Sequence, residues 1–262
     1  MTTTRRTMLA AGLGAAAASG VAPANAETMP KTFVLVHGAW HGGWCWRRVA
    51  DVLQRQGHKA FTPTLTGLGE RSHLMSRDIN LDTHITDVVN VFKWEDLKDV
   101  VLVGHSYGGW VISGAVEQVL PRVASIVFLD AFMPDDGTRG LDNTSAFSRK
   151  GILAAIEKGD VSRPSPTAEM FAVNEKDRSW VDSKVTPQPV GVALQPIRLT
   201  GARDRVAKKT YIRAAAYPQE TFDKYLAVCK ADATWRTFEI PCGHDIMVDM
   251  PERLAEVLVE VG

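Results

Sequence analysis

The sequence has no excess of charge of either sign: 30 Lys and Arg stand against 30 Asp and Glu, a formal net charge of zero. Proteins that track a polyanion carry a basic excess or a basic stripe, so the composition gives no support to a nucleic-acid partner. Cysteine is scarce, with only Cys45, Cys229 and Cys242. Their spacing fits no zinc site, and an odd count leaves at least one thiol unpaired. Cys229 and Cys242 are the pair that an oxidising compartment could bridge. Beyond residue 26 there is no internal repeat, no low-complexity stretch and no apolar run long enough for stable membrane insertion. What is left, 262 residues with 45% hydrophobic and 23% charged side chains, is the make-up of one sizeable soluble domain.

The first 26 residues differ from the rest. A charged start with Arg5-Arg6, a short stretch rich in alanine and glycine, and an Ala24-Asn25-Ala26 ending follow the layout of a cleaved export signal. The arginine pair is of the twin-arginine kind. The expected division is therefore an export signal over residues 1–26 and a folded domain over residues 27–262, exported to the periplasm or secreted.

Within that domain, apolar runs alternate with amphipathic ones. "KTFVLV", "HKAFTPT", "DVVLVG", "VASIVFLD", "QPIRLTG" and "WRTFEIP" read as strands. "GWCWRRVADVLQRQG", "LDTHITDVVNVFKWE", "YGGWVISGAVEQVL" and "PERLAEVLVEV" carry helical spacing, the second with Asp82 as its expected N-cap. Continuously apolar strands alternating with helices predict an α/β fold, a mostly parallel sheet covered on both faces. From about residue 131 to 193 the rhythm is broken by Pro134, Gly137, Gly140, Pro164, Pro166, Pro187 and Pro189. So long an insertion is expected to form a cap over the C-terminal edge of the sheet.

One short stretch carries chemistry. Gly104-His105-Ser106-Tyr107-Gly108 lies between the strand "DVVLV" and a helix, the context in which G-x-S-x-G forms a sharp turn that exposes a serine. A serine hydroxyl is a weak nucleophile until a base takes its proton. In this arrangement the base is a histidine after the last strand, which selects His244. An orienting carboxylate lies between the two in chain order. Asp204, taken to end the strand "QPIRLTG", is the favoured acid, and Asp130, ending "IVFLD", is its rival. The oxyanion donors are expected to be the backbone amides of Tyr107 and of Ala39, in the loop after the first strand; losing one such donor costs about 3 kcal/mol of transition-state stabilisation.

The stretches "FVLVHGAWHGGWCW", "TLTGLGERSHL", "NLDTHITDVVNVF", "VVLVGHSYGG", "RLTGARDR" and "CGHDIMVDMPERLAE" resemble the α/β-hydrolase group that holds plant methylesterases and hydroxynitrile lyases. They are similar above all to its bacterial branch of pyrethroid-type carboxylesterases. The resemblance implies an α/β-hydrolase fold, a triad of Ser106, Asp204 and His244, and an oxyanion hole at Ala39 and Tyr107. Two positions depart from the group. Gly38 and Asp245 stand where its lyases have threonine and lysine, which removes the cation expected beside a departing cyanide. The interval from Asp204 to His244 is about a dozen residues longer than usual, with "AAAYPQETFDKYLAVCKAD" carrying the excess.

These readings predict a serine hydrolase that cleaves small carboxylic esters through an acyl-enzyme, with neither metal nor organic cofactor. Trp40, Trp110, Phe132, Met133, Met170, Phe171 and Trp180 are the candidate pocket residues, and their bulk suggests an apolar or aromatic ester. Cleavage of the lyase type and slow-turnover ligand binding on the same fold are the alternatives.

Overall fold

Residues 1–3 and 29–262 are described in the computed structural model of the chain. The expected export segment therefore lies outside the described residues except for its first three. The β-branched run Thr32–Val36 (β1) is sealed over four of its five positions. Then come Arg47–Arg55 (α1), Lys59–Phe61 (β2), Leu81–Trp94 (α2), Val100–His105 (β3), Gly108–Val119 (α3) and Val123–Leu129 (β4). Residues 131–193 hold Ala146–Lys158 (α4), Ser162–Arg163 (β5), Glu175–Asp182 (α5) and Gln188–Pro189 (β6). The chain closes with Ala202–Arg205 (α6), Lys208–Ala214 (β7), Glu220–Ala231 (α7), Trp235–Ile240 (β8), Ile246–Asp249 (α8) and Pro251–Val261 (α9).

Six strands form one sheet in the order β2-β1-β3-β4-β7-β8, every adjacent pair parallel. Strand alternation divides the core. Phe33, Leu35, Val101 and Val103 pack on one face with α1 and α9; Val34, Val36, Val100 and Leu102 pack on the other with α2 and α3. Cys242 belongs to the first face and Cys229 to the second. The sheet separates Cys229 from Cys242, which excludes a bridge between them in this fold, and all three cysteines are buried free thiols.

Two sequence expectations are corrected here. The N-cap of α2 is Asn80, not Asp82: its side chain accepts from the Thr83 amide at 3.0 Å, and the Thr83 hydroxyl accepts from the Asn80 amide at 3.2 Å. This reciprocal pair satisfies two otherwise orphaned donors. More consequentially, residues 195–201 form no strand. The fifth strand of the sheet is Lys208–Ala214, inside the stretch that sequence spacing left unassigned. Its neighbours are β4 and β8. All six strands end at the same edge, and residues from 140–193 line one cavity with Ser106 and His244. Among the described residues no helix is long and apolar enough to cross a membrane.

Candidate active site

Ser106 follows β3 immediately and has φ of 52°, the left-handed region that a serine rarely adopts. The turn is held from both sides. The Ser106 amide donates to the Leu129 carbonyl at 3.2 Å, and the Ser106 carbonyl accepts from the Gly109 and Phe132 amides at 3.1 Å each. At Gly108 a side chain could not fit, because a β-carbon there would stand 2.8 Å from the Val36 carbonyl oxygen. Ser106 thus reaches the C-terminal edge of the sheet at the start of α3, where the helix dipole favours negative charge.

His244 lies after β8 and is fixed on several sides. Its amide donates to the Phe171 carbonyl at 2.9 Å, and the His244 carbonyl accepts from Nε2 of His105 at 3.0 Å. Its ring lies nearly parallel to Tyr217, with centroids 4.5 Å apart, and to Phe222 at 5.7 Å. Ring atom Nδ1 donates to Asp130 Oδ2 at 2.6 Å. That leaves Nε2 without a protein partner among the described residues. Ser106 and His244 line one cavity of about 140 Å³. The serine hydroxyl makes no hydrogen bond to the imidazole in this structure; such contacts are often longer in a free enzyme and close in the substrate complex.

The carboxylate beside His244 is Asp130, not Asp204. Asp130 is completely buried at the end of β4. Its Oδ1 accepts from the Ala214 amide at 3.1 Å and from Arg213 Nη1 at 2.8 Å, so both oxygens are engaged. Arg213, on β7, also donates to Asp223 at 2.9 Å. Asp204 sits on the short helix that precedes β7, with 67% of its side chain exposed against Arg203. It is at the wrong end of the strand: the seven residues of β7 put about 20 Å between the two ends. The end of β7 near the cavity reads Ala214-Ala215-Ala216 and offers no carboxylate. The acid comes instead from the neighbouring strand.

The loop after β1 passes directly against the serine; a β-carbon added at Gly38 would stand 2.9 Å from Cβ of Ser106. Ala39 and Tyr107 both line the cavity with Ser106, and neither backbone amide donates to an acceptor among the described residues. Unpaired amides near a serine are the kind of donor that an oxyanion needs. Two supports hold them. On one side, the Ala39 carbonyl accepts from Nδ1 of His41 at 2.8 Å, and Nε2 of His41 donates to Asp245 at 3.0 Å. Both ring nitrogens face acceptors, so His41 is an imidazolium. Burial works against that charge, but Asp245 outweighs it and raises the His41 pKa. Burial likewise opposes the Asp245 charge, yet His41 holds that carboxyl at about 2. Asp245 is therefore spent inside the scaffold and does not line the cavity. On the other side, the Tyr107 hydroxyl donates to Nδ1 of His84 at 3.0 Å, while Nε2 of His84 donates to the Thr66 carbonyl at 2.9 Å. Burial pushes the His84 pKa down to about 4, so the ring is neutral. Asp87 accepts from the Thr66 amide and hydroxyl at 2.7 and 2.8 Å. The conspicuous "TLTGLGERSHL" and "DTHITDVV" segments thus fasten the residue after the serine.

Five of the expected pocket residues line the cavity: Trp40, Trp110, Phe132, Met170 and Phe171. Met133 and Trp180 do not. Met133 is buried in the core with its sulfur 3.8 Å from that of Cys229, and Trp180 packs edge-on to Trp44 beneath Arg48. Sequence reasoning missed Tyr217, Arg163 and Gln188, which also face the cavity. Gln188 carries a signal only in the structure: its Oε1 accepts from the Trp40 amide at 2.9 Å, holding that residue at φ of 66°. No group of three or more His, Cys, Asp or Glu side chains among the described residues is placed to hold a metal ion.

Comparison with known proteins agrees with this fold. Residues 33–257 match the alpha/beta hydrolase family. The chain is 40% identical over 244 residues to a carbendazim-hydrolyzing esterase of Nocardioides sp. strain SG-4G, covering 88% of this chain and 99% of that protein. It is 26% identical over 255 residues to putative methylesterase 14 of Arabidopsis thaliana, covering 88% and 72% of the two. Among solved structures it is similar to an extracellular alpha/beta-hydrolase from a Paenibacillus species, described as sharing structural and functional homology with tobacco salicylic acid binding protein 2. That superposition has a TM-score of 0.76 at 26% identity and covers 89% and 99% of the two chains.

Proposed function

The chain belongs to the alpha/beta hydrolase family, and on that premise we infer that it hydrolyses carboxylic esters through an acyl-enzyme on Ser106. The observation that carries the reading is the Asp130–His244 hydrogen bond at the rim of the cavity that Ser106 also lines. Ser106 attacks the ester carbonyl while Nε2 of His244 takes its proton. Asp130 keeps the imidazole in the tautomer with hydrogen on Nδ1 and stabilises its cationic form. The Ala39 and Tyr107 amides receive the oxyanion. His244 returns the proton to the leaving alcohol, then activates a water that releases the acid. The aromatic walls at Trp40, Trp110, Phe132 and Phe171 favour aryl or apolar esters, and carbendazim belongs in the substrate panel because the Nocardioides relative is named for it.

The test is steady turnover of p-nitrophenyl esters together with mass spectrometry after fluorophosphonate treatment. Turnover with a single phosphonyl adduct on the Ser106 peptide is the expected result. An unlabelled Ser106 in a protein that still hydrolyses esters would overturn the mechanism.

The same reading extends to location. The Arg5-Arg6 start and the Ala24-Asn25-Ala26 ending support export with cleavage after Ala26. N-terminal analysis of the protein from the periplasm or medium is then expected to begin at Glu27; a cytoplasmic chain that keeps Met1 contradicts it.

A further inference from the structure

Among the described residues the cavity has one permanent charge, and no Asp or Glu lines it. Asp130, behind His244, is already paired with Arg213. Arg163 lines the wall, with its guanidinium carbon 4.4 Å from the ring centroid of Trp40. Among the described residues it has no ion-pair partner and no hydrogen-bond acceptor; burial is the only influence on its pKa, which falls to about 10. The group is therefore still charged at neutral pH. A cation withdrawn from water without a counter-ion is costly, and arginine is the side chain whose planar donors match a carboxylate.

A second unpaired donor stands beside it. β5 and β6 form a two-stranded antiparallel ladder in which Arg163 lies directly opposite Gln188. Opposed residues in such a pair project from the same face. Gln188 is 1% exposed and lines the same cavity. Its Oε1 is used by the Trp40 amide, while its Nε2 is buried with no acceptor. Buried donors of this kind usually have partners. Here two donors from one ladder lack an acceptor, one on a cavity-lining guanidinium and one on the buried amide opposite it.

We propose that Arg163 and Gln188 form an anion subsite that binds a carboxylate carried by the ester substrate away from its scissile bond. The substrate class is then an aryl or alkyl half-ester, its apolar body against the aromatic wall, its ester carbonyl at Ser106 and its free carboxylate under the β5–β6 ladder. Trp40 separates the two ends: its backbone follows Ala39, and its ring carries the guanidinium.

This inference rests on the hydrolase reading, so the experiment has two arms. In the first, wild type, Arg163→Gln and Arg163→Lys are compared on p-nitrophenyl butyrate and on mono-p-nitrophenyl glutarate, which differ by a terminal carboxylate. The quantity read is the ratio of kcat/KM for the half-ester to that for the neutral ester. Loss of one charge-assisted contact should lower this ratio roughly ten- to hundredfold in Arg163→Gln, with partial recovery in Arg163→Lys. In the second arm, calorimetry on the same proteins compares 5-phenylvalerate with 5-phenylvaleramide, neither of which is an ester. Wild type should favour the carboxylate at least tenfold and Arg163→Gln should lose that preference. An unchanged ratio and an unchanged binding preference would overturn the subsite, as would equal losses for both esters, which would mark Arg163 as packing for Trp40. Charge-selective binding without turnover of either ester would uphold the subsite and sink the hydrolase reading instead.

Discussion

Replacing Asp130 with Asn is expected to lower kcat on p-nitrophenyl esters by roughly 10⁴-fold, whereas Asp204→Asn should stay within about twofold of wild type. The first substitution keeps size and burial but changes what His244 can do. An amide opposite Nδ1 no longer demands a hydrogen there. It can present its own NH₂, which pushes the imidazole proton to Nε2, the nitrogen that must accept from Ser106. Oδ1 also anchors Arg213 and the Ala214 amide, so part of the loss could come from a disturbed strand. Circular dichroism and the melting temperature separate the two causes: a folded, inactive Asp130→Asn protein supports the tautomer argument. Asp204 is the control because it is solvated and meets only Arg203, a surface contact worth little. If Asp204→Asn fell and Asp130→Asn did not, the assignment of the acid would be reversed.

The other large effect is at the nucleophile. Ser106→Ala should cut kcat by roughly 10⁵-fold or more, leaving only what binding and the two oxyanion amides contribute. KM-like affinity for substrate should change far less, because the hydroxyl makes no hydrogen bond in the free enzyme and its removal empties little volume. Stability should hold or rise. Ser106 sits at φ of 52°, and such a conformation costs on the order of 1–3 kcal/mol, which is maintained for function and not for folding. Ser106→Gly, free of that steric cost, should melt above wild type while being equally inactive. A Ser106→Ala protein that still turned over would require a different nucleophile, and among the described residues Ser145 and Ser148 are the other serines that line the cavity.

The elbow was legible because its chemistry is written locally: an apolar run, glycines at fixed offsets and a helix start cannot easily mean anything else. His244 followed from its place after the last strand. The acid was misplaced because β7 is disguised. "KKTYIRA" opens on two lysines and carries an arginine where a buried strand should be apolar, while "QPIRLTG" has the better apolar pattern and forms no strand. The disguise is electrostatic. Arg213 is nearly fully buried because Asp130 and Asp223 meet it. Lys209 lays its stem against the core with its ammonium 5.9 Å from the Trp235 ring. A hydropathy pattern weighs each side chain alone and cannot see that a charge will be neutralised by a residue 83 positions away. Once β7 was shifted, Asp204 looked like a strand end and Asp130 a runner-up. Arg163 and Gln188 were invisible for a related reason: two residues of cap ladder, 25 apart in sequence, mean nothing until folding sets them opposite each other.

Gln188 has an outcome for anyone who tries to retune this protein. The same amide side chain that faces the ligand also braces the chain at Trp40, one peptide from an oxyanion donor. Selectivity and speed are thus wired through a single contact. Substitutions of Gln188 made in search of new substrates should slow the reaction on old and new compounds alike, while changes elsewhere in the lining, at Ile152 or Met170, leave that brace intact and offer the freer route to altered preference.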